Sequence, residues 1–181
     1  MAQVFRISPL IRFTLLLFYL ALTIPLPFLA QATQAPIPSN LLWAGIGLGF
    51  VGLWGVLSEQ VQADETGIQV RHPAWIGWLL HRAWSLNWSE ISALKLRTTG
   101  QGGLVYYFVT AKADRAYLLP MRIAGFAQFL RMVEAQTQIE TRDVRPLAQP
   151  WMYLILLVVA LGLLGIDAWT INQALTLGAL G

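Results

Sequence analysis

The side chains that could do chemistry are few and far apart. There is no cysteine, and His72 and His81 are the two histidines. The lack of Cys excludes disulfides, thiolate metal sites and a Cys nucleophile. Two histidines alone do not make a zinc cluster. No H-E-x-x-H and no G-x-S-x-G occurs. There is also no phosphate loop, and no dinucleotide fingerprint that opens a helix after a strand. Gly100 to Gly103 reads G-Q-G-G, but no helix opens behind it, so it is a hairpin turn rather than a phosphate cradle. His72 beside Pro73 and His81 beside Arg82 are expected at the surface. Neither lies in an apolar span, where an imidazole would ligate a haem or chlorin metal. Lys95, Arg97, Lys112, Arg115 and Arg122 can share a basic face on adjacent strands, solvated or turned to lipid headgroups. With 12% charged residues the chain is too poor in charge for nucleic acid. The expectation is a protein without catalytic, cofactor-binding or metal-binding residues, and so not an enzyme.

The elements around these residues are dominated by apolar sequence. Of 181 residues 56% are hydrophobic. An ordinary soluble domain carries about 25% charged residues, twice what is found here. Mean hydropathy is +0.58. Three segments carry the excess. Leu10 to Ala30 is uncharged from Phe13 onward, 18 residues in all. About 20 residues of helix cross a hydrocarbon core. Pro25 and Pro27 should kink or end this helix near its far end. Leu41 to Leu57 is uncharged and holds Gly45, Gly47, Gly49, Gly52 and Gly55. Gly45, Gly49 and Gly52 fall near one helical face. In a membrane such residues let another helix approach, either the first span or an outside partner. Trp151 to Ile166 is the third span, with Trp151, Tyr153 and Trp169 as interfacial anchors. Asp167 is expected as a solvated helix end; the alternative is a buried polar contact in a complex.

Charge gives the orientation. Arg6 and Arg12 precede the first span, and the other ten Lys and Arg residues lie between Arg71 and Arg145. The turn Gln31 to Asn40 and the C-terminal tail have none. The positive-inside rule then places the N-terminus and the polar island, about Ser58 to Pro150, on the cytoplasmic side. Ala30-Gln31-Ala32 also resembles a signal-peptide cleavage site, and retention or removal of residues 1–32 is open at this level. Cleavage would not move the island.

The island reads as a small, mostly β domain with one helix. Asp64 to Gly67 is a turn in which Gly67 can take a positive φ, followed by alternating Ile68 and Val70. Glu90 to Thr98 alternates imperfectly. Gly103 to Lys112 is rich in β-branched and aromatic residues. Ala116 to Leu119 is a short strand. Phe126, Phe129, Leu130 and Val133 follow helical spacing.

Taken together, Gly67, Trp88, Glu90, Ile91, Leu119, Pro120, Phe129 and Glu134 resemble the pattern of bacterial pleckstrin-homology-like domains that sit beside transmembrane helices. The resemblance covers about Gln60 to Thr141. It implies a curved, partly open β-barrel capped by a C-terminal helix, and no enzyme. The fold expectation is therefore an integral membrane α-helical protein of three spans plus a small α+β PH-like domain. A transmembrane hairpin takes residues 1–57, the PH-like domain 58–145, and the last span and tail 146–181.

Within that domain Trp88, Ile91, Phe126 and Phe129 are expected in the core. Pro73 to Trp84, PAWIGWLLHRAW, departs from the family pattern, which has a polar hairpin there. Trp75, Trp78, Leu79 and Arg82 fall on one helical face, and with Trp84 they make a candidate surface. Three readings are open: a strand pair over the core, an interfacial segment on the cytoplasmic leaflet, or a protein-binding patch. The expected partners are membrane lipids and other integral membrane proteins. The leading functional expectation is a non-enzymatic accessory or assembly factor docked on a larger membrane complex, through the Gly-rich span and the tryptophans. The alternative is a lipid-headgroup-sensing module; a small membrane enzyme is disfavoured. A Cys-free chain rich in Trp and Gln resembles small accessory proteins of photosynthetic membranes. That resemblance implies a bacterial inner or thylakoid membrane, and possible partners such as a photosystem.

Overall fold

The computed structural model describes residues 2–80, 83–98, 104–110, 116–144 and 150–176, the side chains of Leu79 and Leu80 apart. In chain order the elements are β1 (Gln3–Arg6), α1 (Pro9–Thr23), α2 (Pro25–Ala32), α3 (Ser39–Val56), β2 (Gln60–Ala63) and β3 (Gly67–Arg71). There follow α4 (Ala74–Leu80), β4 (Trp84–Asn87), a 3₁₀ turn (Trp88–Glu90), β5 (Ile91–Thr98), β6 (Leu104–Thr110), β7 (Ala116–Leu118), α5 (Phe126–Thr137) and α6 (Pro150–Thr176). They form two units. One joins Met1–Ser8 to Ser58–Gln149; the other joins Pro9–Leu57 to Pro150–Gly181. The α+β island therefore includes the first eight residues, which the sequence reading assigned to the helical hairpin.

The island holds two antiparallel sheets, β1-β2-β3-β4 and β5-β6-β7. In the first, Phe5, Val61, Val70 and Trp84 pair in one row across four strands, facing inward. Ala63, Ile68 and Leu86 make a second inward row. The pleat alternates side chains between faces, so Gln62, Gln69 and Ser85 turn outward. In β5 the register slips between Ile91 and Ala93. This bulge resets the alternation and explains its irregularity in sequence: Ile91 is buried before the slip, and Leu94 packs on the core after it. Helix α5 starts at Gly125, whose φ of 76° favours glycine. It buries Phe129 and Val133 completely, and Phe129 meets Phe5 edge-on with ring centroids 5.6 Å apart. Each such ring contributes about 1.5–3 kcal/mol. The Gly100 to Gly103 turn lies outside the described residues.

Gly67 differs from expectation. Its φ is not positive; glycine is needed there because a Cβ would strike the Leu86 carbonyl and the Asn87 Cα. The close approach of β3 to β4 excludes a side chain.

In the second unit, three helical spans are long and apolar enough to cross a membrane: Pro9–Ala32, Ser39–Val56 and Pro150–Thr176. The first breaks at Ile24, where α2 restarts with proline in its first turn. Helix α1 packs most extensively on α6, while α3 touches both α1 and α2. On α6, Tyr153, Leu156, Leu157, Ala160, Leu163, Leu164, Asp167, Ile171 and Ala174 are the less exposed residues, a stripe of helical period.

Candidate functional site

The first sheet has one end from which the chain repeatedly enters and leaves the apolar helices. Arg6 ends β1 and Pro9 starts α1; Val56 ends α3 and Gln60 starts β2. Arg6, Gln60 and Arg71 are paired across three adjacent strands at that end. The alternation that buries Phe5, Val61 and Val70 turns this row outward, and both arginines are exposed. Neither makes an ion pair among the described residues. Arg122 is near the same end: its carbonyl accepts from the Ser8 N–H at 3.0 Å, and the Ala124 N–H donates to the Arg6 carbonyl at 2.8 Å.

His72 follows this row and is not the surface residue expected. Its side chain is 4% exposed, and Nε2 lies 3.7 Å from a Glu59 carboxylate oxygen. Then comes α4. The Pro73 to Trp84 stretch thus begins as a helix rather than a strand pair, with the Ile76 and Gly77 N–H groups donating to the Pro73 carbonyl at its start. Trp75 is 50% and Trp78 69% exposed, whereas Ile76 is buried. The Trp78 indole N–H donates to the Trp75 carbonyl at 2.9 Å. The side chain of Leu79, and Arg82 and His81, lie outside the described residues.

Trp84 does not join the exposed tryptophans. It starts β4 on the inward-facing row, with its ring 5.1 Å from Tyr117 and 6.4 Å from Phe108. Its place in one apolar stretch grouped it with Trp75 and Trp78; the strand that begins at Trp84 separates it from them. Trp88 is buried, and its indole donates to the Asp64 carbonyl at 2.7 Å. Ile91 and Phe129 are buried in the same core, with Phe126 packed against it. Asn87 and Glu90 close a capping box that fixes the turn into β5: the Asn87 N–H donates to Glu90 at 2.8 Å.

In α3 the three glycines separate. The Tyr19 hydroxyl of α1 donates to the Ile46 carbonyl at 2.9 Å and lies where a Cβ of Gly49 would be. Among the described residues nothing lies within 4 Å of where a Cβ of Gly45 or Gly52 would stand. They lie with Leu41 and Leu48, 62% and 75% exposed, on an open stripe. At the other end of the hairpin Arg12 sits over the Trp54 ring, 3.9 Å from its centroid, a cation–π contact between α1 and α3. Asp167 is not the end of its helix, which runs on to Thr176; its Oδ2 is buried with no hydrogen-bond partner among the described residues.

On the outer face of the first sheet a hollow of about 180 Å³ is lined by Gln62, Gln69, Ser85, Asn87, Asp64 and Thr66 among others. Its one ionisable side chain, Asp64, is engaged in its own turn. It accepts from the Thr66 hydroxyl at 2.6 Å, the Thr66 N–H at 2.8 Å and the Gly67 N–H at 3.0 Å. These bonds, the Thr66 hydroxyl first, hold its pKa below the ordinary 3.8. Among the described residues no group of three or more His, Asp or Glu is placed to hold a metal. Lys95 and Arg97 share the outer face of the second sheet, whereas Lys112 and Arg115 lie outside the described residues.

A protein of the cyanobacterium Synechocystis sp., named uncharacterized protein slr0269, is 54% identical over 157 residues, covering 86% of this chain and 79% of that protein. No family model matches the chain. No solved structure matches it.

Proposed function

The chain belongs to the family of that Synechocystis protein, and from this premise we propose that it is a non-enzymatic integral membrane protein of a bacterial inner or thylakoid membrane. Its island is a PH-like domain on the cytoplasmic side, and its role is that of an accessory or assembly factor docked on a larger membrane complex such as a photosystem. Two antiparallel sheets with α5 packed on their core support the PH-like reading. The placement of all twelve Lys and Arg residues supports the orientation. The reading keeps residues 1–32 in the mature chain. Cleavage after Ala32 would strip β1, with Phe5 and Ile7, from the core.

The observation that carries the docking role is the open stripe on α3. Gly49 is used inside the hairpin, where Tyr19 fills the space. Gly45 and Gly52 meet no neighbour among the described residues. A glycine facing only lipid weakens a helix and gains nothing, whereas a glycine facing another helix lets the two backbones close. Flanked by Leu41 and Leu48, the stripe has the knobs and the hollows that a partner helix requires.

The test is recovery of the native complex from membranes solubilised in mild detergent, with tagged full-length chain. Gly45→Leu with Gly52→Leu should abolish recovery of the partner while the variant still inserts, since Leu raises hydrophobicity. Undiminished recovery would remove α3 from the docking role.

A further inference from the structure

We infer that the helix-proximal end of the first sheet binds one anionic lipid headgroup, held by Arg6 and Arg71 across Gln60, with α4 laid into the same leaflet as its apolar half. The inference goes beyond docking on a protein complex, and it rests on the membrane placement proposed above.

Position comes first. Arg6 lies three residues before α1, Gln60 four after α3, and Arg71 three before α4. Where α1 and α3 enter a bilayer, this row lies at headgroup level by chain connectivity alone. Geometry comes next. Adjacent strands are about 4.8 Å apart, so the two arginine backbones stand about 10 Å apart, with the Gln60 amide between them. Two extended guanidinium groups close on a single phosphate or sulfate across that gap, each able to offer a fork of N–H donors.

Charge selects the sign of the occupant. Arg6 and Arg71 are exposed and make no ion pair among the described residues. Glu59, the acid next to the row in sequence, faces His72 at 3.7 Å. Arg122, on the neighbouring segment beside Ser8, adds a third positive charge.

Helix α4 fits the apolar half of such a site. It has no charged residue from Ala74 to Leu80. Trp75 and Trp78 stand out from it while Ile76 is buried on the opposite side. Because the Trp78 N–H is already bonded to the Trp75 carbonyl, its ring can enter the acyl boundary without carrying an unsatisfied donor. An acidic protein would satisfy the arginines but not this pair of rings, which belongs with a lipid whose charged head and apolar tail are joined.

The experiment uses full-length protein in nanodiscs of phosphatidylcholine with graded phosphatidylglycerol. Native mass spectrometry reads the lipid retained, and lipids brominated on the acyl chain read tryptophan depth by quenching. The wild type should retain phosphatidylglycerol. Arg6→Gln with Arg71→Gln should lower its affinity about thirtyfold, at roughly a fivefold loss for each basic residue near a membrane surface. Arg6→Lys with Arg71→Lys should recover part of it, which a misfolded domain would not. Trp75→Phe with Trp78→Phe should reduce the quenching amplitude. Retention unchanged in the Gln pair, or displacement of the lipid by millimolar inorganic phosphate, would overturn the site. Release of the chain from membranes by alkaline carbonate would instead overturn the membrane placement, and this site with it.

Discussion

Replacing Trp88 by Ala should cost the island about 3–5 kcal/mol, the range for a large aromatic removed from a packed core. The structure gives the reasons. Trp88 is 5% exposed, and its indole N–H reaches the Asp64 carbonyl at 2.7 Å. Truncation therefore opens a cavity beneath the turn into β5 and removes a bond that ties this turn to the β2–β3 turn. In a small domain each kcal/mol moves the melting temperature by about 4–8 °C, so a fall of roughly 12–40 °C is expected. Trp75 and Trp78, at 50% and 69% exposure, have little to lose in the isolated fold. Their joint replacement by Ala should stay within about 1 kcal/mol, two surface substitutions at about 0.5 each. The assay is near-ultraviolet circular dichroism of full-length chain during heating in detergent. If the Trp75/Trp78 variant melts as low as Trp88→Ala, α4 is part of the core and its tryptophans are no surface.

Two further outcomes follow from single contacts. Tyr19→Phe removes the hydroxyl that bonds the Ile46 carbonyl, and should weaken the α1–α3 hairpin by about 0.6 kcal/mol, the average for bonds between membrane helices. Gly49→Leu, which places a larger side chain where that hydroxyl lies, should cost more; equal stability of wild type and both variants in a detergent-denaturation series would exclude the contact. Asp64 gives a pH dependence. Its folded pKa is lowered, so its contribution is complete above the unfolded value near 3.8 and is lost as pH falls through the lower folded value. On acidification from about pH 5 to below 3, wild type should therefore lose more stability than Asp64→Asn, which keeps an acceptor but no charge; parallel melting curves would refute this.

Sequence resolved what depends on local period. The three spans are legible because an uncharged run of membrane length has few other uses. Helix α5 is legible because Phe126, Phe129, Leu130 and Val133 repeat at its own spacing. What sequence missed depends on partners far along the chain. β1 has four residues, and its pairing partner begins at Gln60, beyond the whole hairpin. Its signal was the alternation of Phe5 and Ile7 around Arg6, too short to stand without the rest of the sheet. The glycines failed differently. Gly45, Gly49 and Gly52 share a face by arithmetic, but a single hydroxyl from another helix decides that Gly49 is the one in contact. Trp84 closes the same apolar stretch as Trp75 and Trp78, and the strand alternation of Trp84 and Leu86 turns its ring inward. His72 reads as polar and solvated until Glu59 is brought across from the neighbouring strand end.

The pairing of β1 with β2 also limits how the hairpin can cross a membrane, whichever side the island faces. Arg6 and Gln60 are partners, so the chain that leaves the sheet at Ser8 must return to the same sheet end by Ser58. Between them lie α1, α2 and α3, with two helical spans long enough to cross a membrane. A return to the starting point requires an even number of crossings, so the two spans cross together as a hairpin or not at all. One crossing alone would separate β1 from β2 by the thickness of the bilayer and leave Phe5 out of the core. The cation–π contact of Arg12, one turn into α1, with Trp54, near the end of α3, is what an antiparallel hairpin brings together at that end. The positive-inside pattern puts Arg6 and the island on one side through the distribution of cations; strand pairing does the same through backbone hydrogen bonds. The two arguments share no residue but Arg6; only the cations speak to which side that is.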